Sequence, residues 1–351
     1  MNCKWVSSQD ENIKCKRHAD SSGYCIFHKK NKSKRERILF NSYIKKGQIS
    51  DFSGFYFEEE LNINKTLNYD YNKLKFYETI FCKDVKFNKF IFNNTVDFTK
   101  TEFKGKVDFT ESTFLKNCIF SETKFNEKYI NEQIFQRTNI NGQKLIVEKC
   151  INFPRLDGIL FSPYTKFILK DINYKKEDAI CGRNNYRIAR VQAKQTEDNE
   201  NIGYYYYNER NYASEFLKSN KYKGYKEYLS NDFFDFLSKY TIGYGEKPLR
   251  LLFISFFIIS VFALIYMFIG LNTIDYGLIK LNLVSNTYSF YEFLKMYLEA
   301  WYFSMITFST VGYGDIIAFG LIGKIIACIE VFLGITLHAT WTSILLSRLV
   351  K

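Results

Sequence analysis

Proline and histidine are both scarce in this chain, three residues of each in 351. The first thirty residues lack a charged tip followed by an apolar stretch. They are polar, basic and hold cysteine and histidine, so no secretory signal is read and the N-terminus is expected in the cytoplasm. In that reducing compartment the eight cysteines (3, 15, 25, 82, 118, 150, 181 and 328) are expected as thiols rather than a disulfide framework. No acid/base constellation and no open metal site is visible, which argues against an enzyme, a zinc-dependent one included. What is abundant is aromatic and basic, with 35 Phe, 27 Tyr and a net charge of +12. That charge suits nucleic acid, anionic lipid or a cytoplasmic face, and selects none of them. The length suggests two or three domains, and 46% hydrophobic content allows either a core or membrane spans.

Residues 1–34 have few apolar side chains, so a metal would explain how they fold. Cys3, Cys15, Cys25 and His28 can close a four-ligand Zn²⁺ site, with Cys25 and His28 in C-x-x-H spacing; His18 is an alternative ligand. Residues 35–50, within the run KKNKSKRERILFNSYIKK, read as a solvated basic linker.

Over 51–180 phenylalanine recurs at 76, 81, 87, 92, 98, 103, 109, 114, 120 and 125, in alternating steps of five and six, so the period is eleven. Leu74, Val85, Val96, Val107 and Cys118 form a second register at the same period. An eleven-residue apolar period also fits a right-handed coiled coil. The intervening Thr, Asn, Asp, Val and Ile suit short strands and turns instead, and the Ala, Leu and Glu of long helices are missing. The segment therefore reads as a right-handed β-solenoid with Phe stacked inward, two eleven-residue units to a turn and capped ends. Its pattern resembles the pentapeptide-repeat family, and the Cys/His segment is similar to a small module at the head of some bacterial members. Some members mimic DNA, which needs an acidic surface that this basic chain lacks; no nucleic-acid partner is expected.

Residues 181–247 turn helical, with a polar break at Glu197 to Asn201, and read as a cytoplasmic helical hairpin connecting solenoid to membrane rather than an RNA-binding pair. Leu251 to Leu271 then gives 21 residues without a charge, enough for a bilayer core of about 30 Å. Spans are expected at 249–271 and 321–347, with a helix over 290–308 too interrupted to cross. The stretch STVGYGD, Ser309 to Asp315, lies between those spans. An earlier TIGYGE, Thr241 to Glu246, has no span before it and is followed at once by Lys247 and Arg250, so it reads as a turn.

Thr310, Val311, Gly312, Tyr313 and Gly314 resemble the selectivity filter of potassium channels, and residues 248–351 repeat the order of a two-span subunit: span, re-entrant helix, filter, span. The resemblance implies a homotetramer in a lipid bilayer, with four filter strands whose carbonyls replace the water shell of K⁺. It implies that Asp315, Trp301, Tyr302 and Glu330 support the filter, and that Gly334 is a gating hinge. Glu330 is the only acid inside either span, and is expected behind the filter, bonded to the pore helix or filter backbone. Ala318 departs from the family, standing where proline is common. Lys247, Arg250, Arg348 and Lys351 fall on one side, which puts both termini of this multi-pass inner-membrane subunit in the cytoplasm. No arginine-spaced voltage sensor precedes the first span, so strong voltage gating is not expected.

The expected fold is thus multidomain: a pentapeptide-repeat-like solenoid, a cytoplasmic helical hairpin and an all-α two-span potassium-channel pore domain. The expected function is passive K⁺ conduction under an unknown cytoplasmic regulator. The alternative is a membrane-anchored binding or scaffold protein with a vestigial pore.

Overall fold

The computed structural model describes residues 1–8, 11–46, 49–63, 74–219, 233–274, 277–281 and 289–349. The chain divides into two compact units, Met1–Lys223 and Gly224–Lys351.

The N-terminal unit is built on a β-solenoid of about five turns. Its strands are mostly two residues long, one residue facing in and one facing out. Each pairs in parallel with the strand one turn later: Phe81 lies opposite Phe103, Val85 opposite Val107, Phe92 opposite Phe114 and Val96 opposite Cys118. Each of these partners is two eleven-residue periods away, so one period makes half a turn. The inward phenylalanines stack in columns. Phe76, Phe98 and Phe120 lie 5.1 and 4.9 Å apart, Phe87, Phe109 and Phe135 4.9 and 5.0 Å apart. Stacked pairs contribute about 0.5–1.5 kcal/mol each beyond the area they bury.

The corners repeat as strictly as the core. Glu78, Lys89, Lys100, Glu111 and Glu122 all take positive φ, between 52° and 61°. That backbone disfavours side chains with a Cβ, so it needs compensation. Neighbouring turns supply some: Glu111 pairs with Lys89 at 3.8 Å and with Arg137 at 3.7 Å. On alternate corners a buried threonine follows, and Thr79, Thr101 and Thr123 donate their hydroxyls to the carbonyls of Phe52, Phe76 and Phe98 in the preceding turn. Charge alternation and threonine ladders both act between turns, and so hold the register.

A solenoid leaves two open edges, which must be covered. At the first, helix α1 (Lys34–Lys45) starts on a capping box between Ser33 and Glu36 and buries Phe40 and Ile44, four residues apart on one face. Phe40 meets Phe57 edge-on at 5.3 Å. The expectation of a solvated linker over 35–50 is corrected here. The basic residues solvate one face of α1, while the apolar face closes the solenoid; residues 47 and 48 lie outside those described.

At the other edge, helices α2 (Ala179–Gln195) and α3 (Asn199–Ser219) form the hairpin. Their side chains replace the hydrogen bonds of a further turn. The Tyr205 hydroxyl accepts from the Leu169 amide and donates to the Phe167 carbonyl, both at 3.2 Å. Tyr212 accepts from the Tyr174 amide at 3.1 Å, and Gln192 Nε2 donates to the Thr165 carbonyl at 2.8 Å. The hairpin read as a connector caps this edge; residues 220–232 lie outside those described.

The C-terminal unit holds helices α4 (Pro248–Ile269), α5 (Phe290–Phe308) and α6 (Gly320–Leu349). Proline opens α4, where the missing N–H costs nothing, and Gly270 at φ 108° ends it. α4 and α6 are long and apolar enough to cross a membrane, and only 22% and 17% of their most apolar windows is buried. A core helix of a soluble protein would be mostly covered; here Phe253 and Phe332 stay about 70% exposed. The segment after α4 contributes a small antiparallel sheet. Strand Leu271–Thr273 pairs with Gly277–Ile279 and with Ile316–Ala318, which carries the chain out of the STVGYGD stretch. Ala318 sits in that strand, buried against the core formed by Ala263, Tyr266, Ala300 and Phe303.

Candidate functional site: the loop after α5 and a Cys/His cluster

α5 ends at Phe308, and the chain turns back through Ser309 into the GYG motif. Thr310, Gly312 and Gly314 have φ of 62°, 54° and 82°, so left-handed backbone recurs at every second residue. A Cβ added at Gly312 or Gly314 would meet nothing within 4 Å, so the φ and not crowding calls for glycine there. Thr310 adopts the same region without that freedom, a strain of the kind held at working sites.

The amides are folded inward. Val311 and Gly312 both donate to the Ile306 carbonyl, at 3.0 and 3.3 Å, and Thr310 donates to Thr307 at 3.0 Å. Among the described residues, no hydrogen bond reaches the carbonyl oxygens of Thr310 to Gly314. Five successive acceptors thus remain available to a ligand that can replace water. The Val311 side chain is half exposed and Tyr313 is 73% exposed within this one chain.

Around this loop, Tyr302 donates to Asp315 Oδ2 at 2.9 Å and so ties α5 to the residue that follows the motif. Asp315 Oδ1 is buried without a partner among the described residues. Trp301 is half-buried against the core of the unit. Glu330 is fully buried; Tyr266 of α4 donates to its Oε2 at 2.7 Å, and Ser304 of α5 bonds its Oε1. Its bonds therefore join α4 and α5 to α6, and none to the backbone of residues 310–314 is present among the described residues. A Cβ at Gly334 would stand 2.0 Å from the Phe308 carbonyl oxygen, so this glycine lets α6 cross the end of α5, and α6 runs through it unbroken. The Lys351 and Arg348 side chains, read as inner charges, lie outside the described residues. The TIGYGE look-alike forms a tight turn ahead of α4, with Gly243 and Tyr244 left-handed and the Tyr244 hydroxyl on Asp235.

A second candidate site lies in the N-terminal unit. Cys3, Cys15, Cys25 and His28 are all buried, and their ligand atoms lie within 4.8 Å of one another. Cys3 and Cys25 Sγ stand 3.4 and 3.2 Å from His28 Nδ1, and Cys15 Sγ stands 3.8 Å from Cys25 Sγ. Metal–sulfur bonds of about 2.3 Å and metal–nitrogen bonds of about 2.0 Å give tetrahedral edges of about 3.5–3.8 Å, so the donor set fits one tetrahedral ion. His28 Nε2 donates to the Ser53 carbonyl at 3.0 Å, which leaves the Nδ1 lone pair free to ligate, and Trp5 stacks on the ring at 4.7 Å. His18 is exposed and outside the cluster. Burial pushes the Cys25 thiol up to about 12 and the His28 imidazole down to about 4. The imidazole is thus neutral and ready to ligate, whereas the thiol needs a cation to lose its proton.

Residues 277–351 match a family model described as an ion channel, and the match takes in α5, the GYG loop and α6. No curated protein and no solved structure matches the chain. The C-terminal unit carries an ion channel domain, in a chain whose N-terminal unit is a solenoid.

Proposed function

We propose that the chain is a subunit of a potassium-selective channel, tetrameric and passive, in the inner membrane. The observation that carries this is the row of free carbonyls over Thr310 to Gly314, at alternating backbone hand, inside an ion channel domain. One chain supplies one strand of acceptors, and dehydrating a cation needs a ring of them, which four copies complete. Tyr302 and Asp315 brace the strand from outside, and the half-exposed faces of Val311 and α6 are where copies and lipid would cover it. Lys247 and Arg250 at the start of α4 mark the cytoplasmic side, where both termini and the pentapeptide-repeat-like solenoid reside. The solenoid regulates or tethers the pore for a cytoplasmic partner, and its Cys/His cluster holds a structural Zn²⁺, chosen over other ions by three thiolates and one imidazole. The reading assigns the chain no catalytic step and no nucleic-acid partner.

The test is flux from liposomes holding the full-length protein. K⁺ flux well above Na⁺ flux, lost on Gly312→Ala, supports the channel. Equal or absent flux that ignores this substitution would leave a membrane-anchored scaffold.

A further inference from the structure

The contacts of Glu330 can be counted in protons. Ser304 Oγ lies 2.9 Å from the Ile259 carbonyl oxygen of α4 and also within hydrogen-bonding distance of Glu330 Oε1. A carbonyl can only accept, and so can an ionised carboxylate, while a serine hydroxyl has one proton to give. With Glu330 ionised, one of the two Ser304 contacts would set lone pairs against each other in a fully buried site. One proton on Oε1 completes the chain: Tyr266 donates to Oε2, Oε1 donates to Ser304, and Ser304 donates to Ile259. Among the described residues, no charged group of the neighbouring helices pairs with Glu330. The groups facing Glu330 from α4 and α5 are Tyr266 and Ser304, both neutral. An unpaired charge among apolar helices is expensive.

We propose that Glu330 is a neutral carboxylic acid whose proton, donated to Ser304, positions the pore helix between the outer and inner helices. Ser304 lies half a turn before Ile306, the carbonyl that holds the amides of Val311 and Gly312. Glu330 is thus a positioning residue: it fixes the turn of α5 from which the filter amides hang. Its effect on ion flux rests on the channel reading; its protonation does not.

Infrared difference spectra of the full-length protein in lipid, wild type minus Glu330→Gln, test the proton directly. A protonated-carboxyl C=O band at neutral pH, shifted by Ser304→Ala and by Tyr266→Phe, is the expected result. A carboxylate band assigned to Glu330 instead would overturn the proposal, whether or not the protein conducts. Flux then tests positioning. Glu330→Gln has an N–H₂ for Ser304 and a carbonyl for Tyr266, and should keep flux and K⁺ over Na⁺ selectivity within about twofold of wild type. Glu330→Ala leaves both hydroxyls short of a partner and should lower selectivity by about tenfold, the order that a buried donor left unmade costs. Equal losses for Gln and Ala would contradict the positioning role. If the wild type itself shows no K⁺ selectivity, the channel reading fails while the infrared result still decides the proton.

Discussion

In the N-terminal unit each apolar edge finds its cover within the same chain: phenylalanine on phenylalanine between turns, α1 and the Cys/His segment at one end, a tyrosine-rich hairpin at the other. In the C-terminal unit the same bookkeeping does not close. Its two long helices leave most of their apolar surface bare, and the GYG loop presents five carbonyls without a hydrogen bond among the described residues. Both units follow the rule that apolar surface and backbone polar groups need partners. The first meets it with its own residues, whereas the second needs lipid, ions and further copies. That contrast separates a self-sufficient domain from one whose function is its unfinished surface.

The contrast can be broken at several depths. Cys25→Ser should have the largest effect on the first unit. Structural zinc contributes on the order of 10 kcal/mol in small metal-folded peptides, here beside the packing of Phe27 on Phe55 and of Trp5 on His28. Elemental analysis should find about one zinc per wild-type chain and none in the variant, with protease cleavage appearing in that segment. Retention of one ion per chain by Cys25→Ser would remove Cys25 from the ligand set.

Phe98→Ala empties the middle of a phenylalanine column and should cost about 3–5 kcal/mol. Chemical denaturation should show the loss in the β transition while the helical signal of the membrane unit holds. A destabilisation under about 1 kcal/mol would mean the columns do not carry the solenoid. Tyr205→Phe removes one hydroxyl that both accepts from Leu169 and donates to Phe167. It should cost about 1–3 kcal/mol and raise hydrogen exchange at the Leu169 amide first. Unchanged exchange there would show that the hairpin does not cap that edge.

Gly312→Ala is expected to have the smallest effect on folding, about 1 kcal/mol for a Cβ at positive φ, since the added atom meets no neighbour. Ion selectivity should nevertheless be lost. This variant sharpens the comparison most: in the first unit function follows stability, whereas in the second a nearly stable chain loses its role.

Much of this was legible in the sequence because it repeats or because its chemistry is local. The eleven-residue period of phenylalanine announces the solenoid, and the apolar runs announce the two long helices. The GYG motif is separated from its look-alike by what flanks it. Cys3, Cys15, Cys25 and His28 share a type and a spacing, and they lie together. What could not be read was tertiary pairing. α1 was hidden because its basic residues outweigh Phe40 and Ile44 in composition, although Ser33 and Glu36 carried a capping box that could have exposed it. Tyr205 and Tyr212 look like surface aromatics until the chain edge over residues 167–174 is beside them. The charged corners at 78, 89, 100, 111 and 122 kept the period in plain sight, but their positive φ is a backbone fact with no glycine to signal it. Tyr266 and Ser304 are buried polar residues on helices α4 and α5; each needed a buried partner, and only the packing of α4, α5 and α6 shows that both share Glu330.

The most direct measurement is the reversal potential of wild-type protein in a planar bilayer with K⁺ on one side and Na⁺ on the other. The account predicts a current that reverses far from zero in the direction set by K⁺ permeation. A reversal near zero, or no current at all, would contradict it.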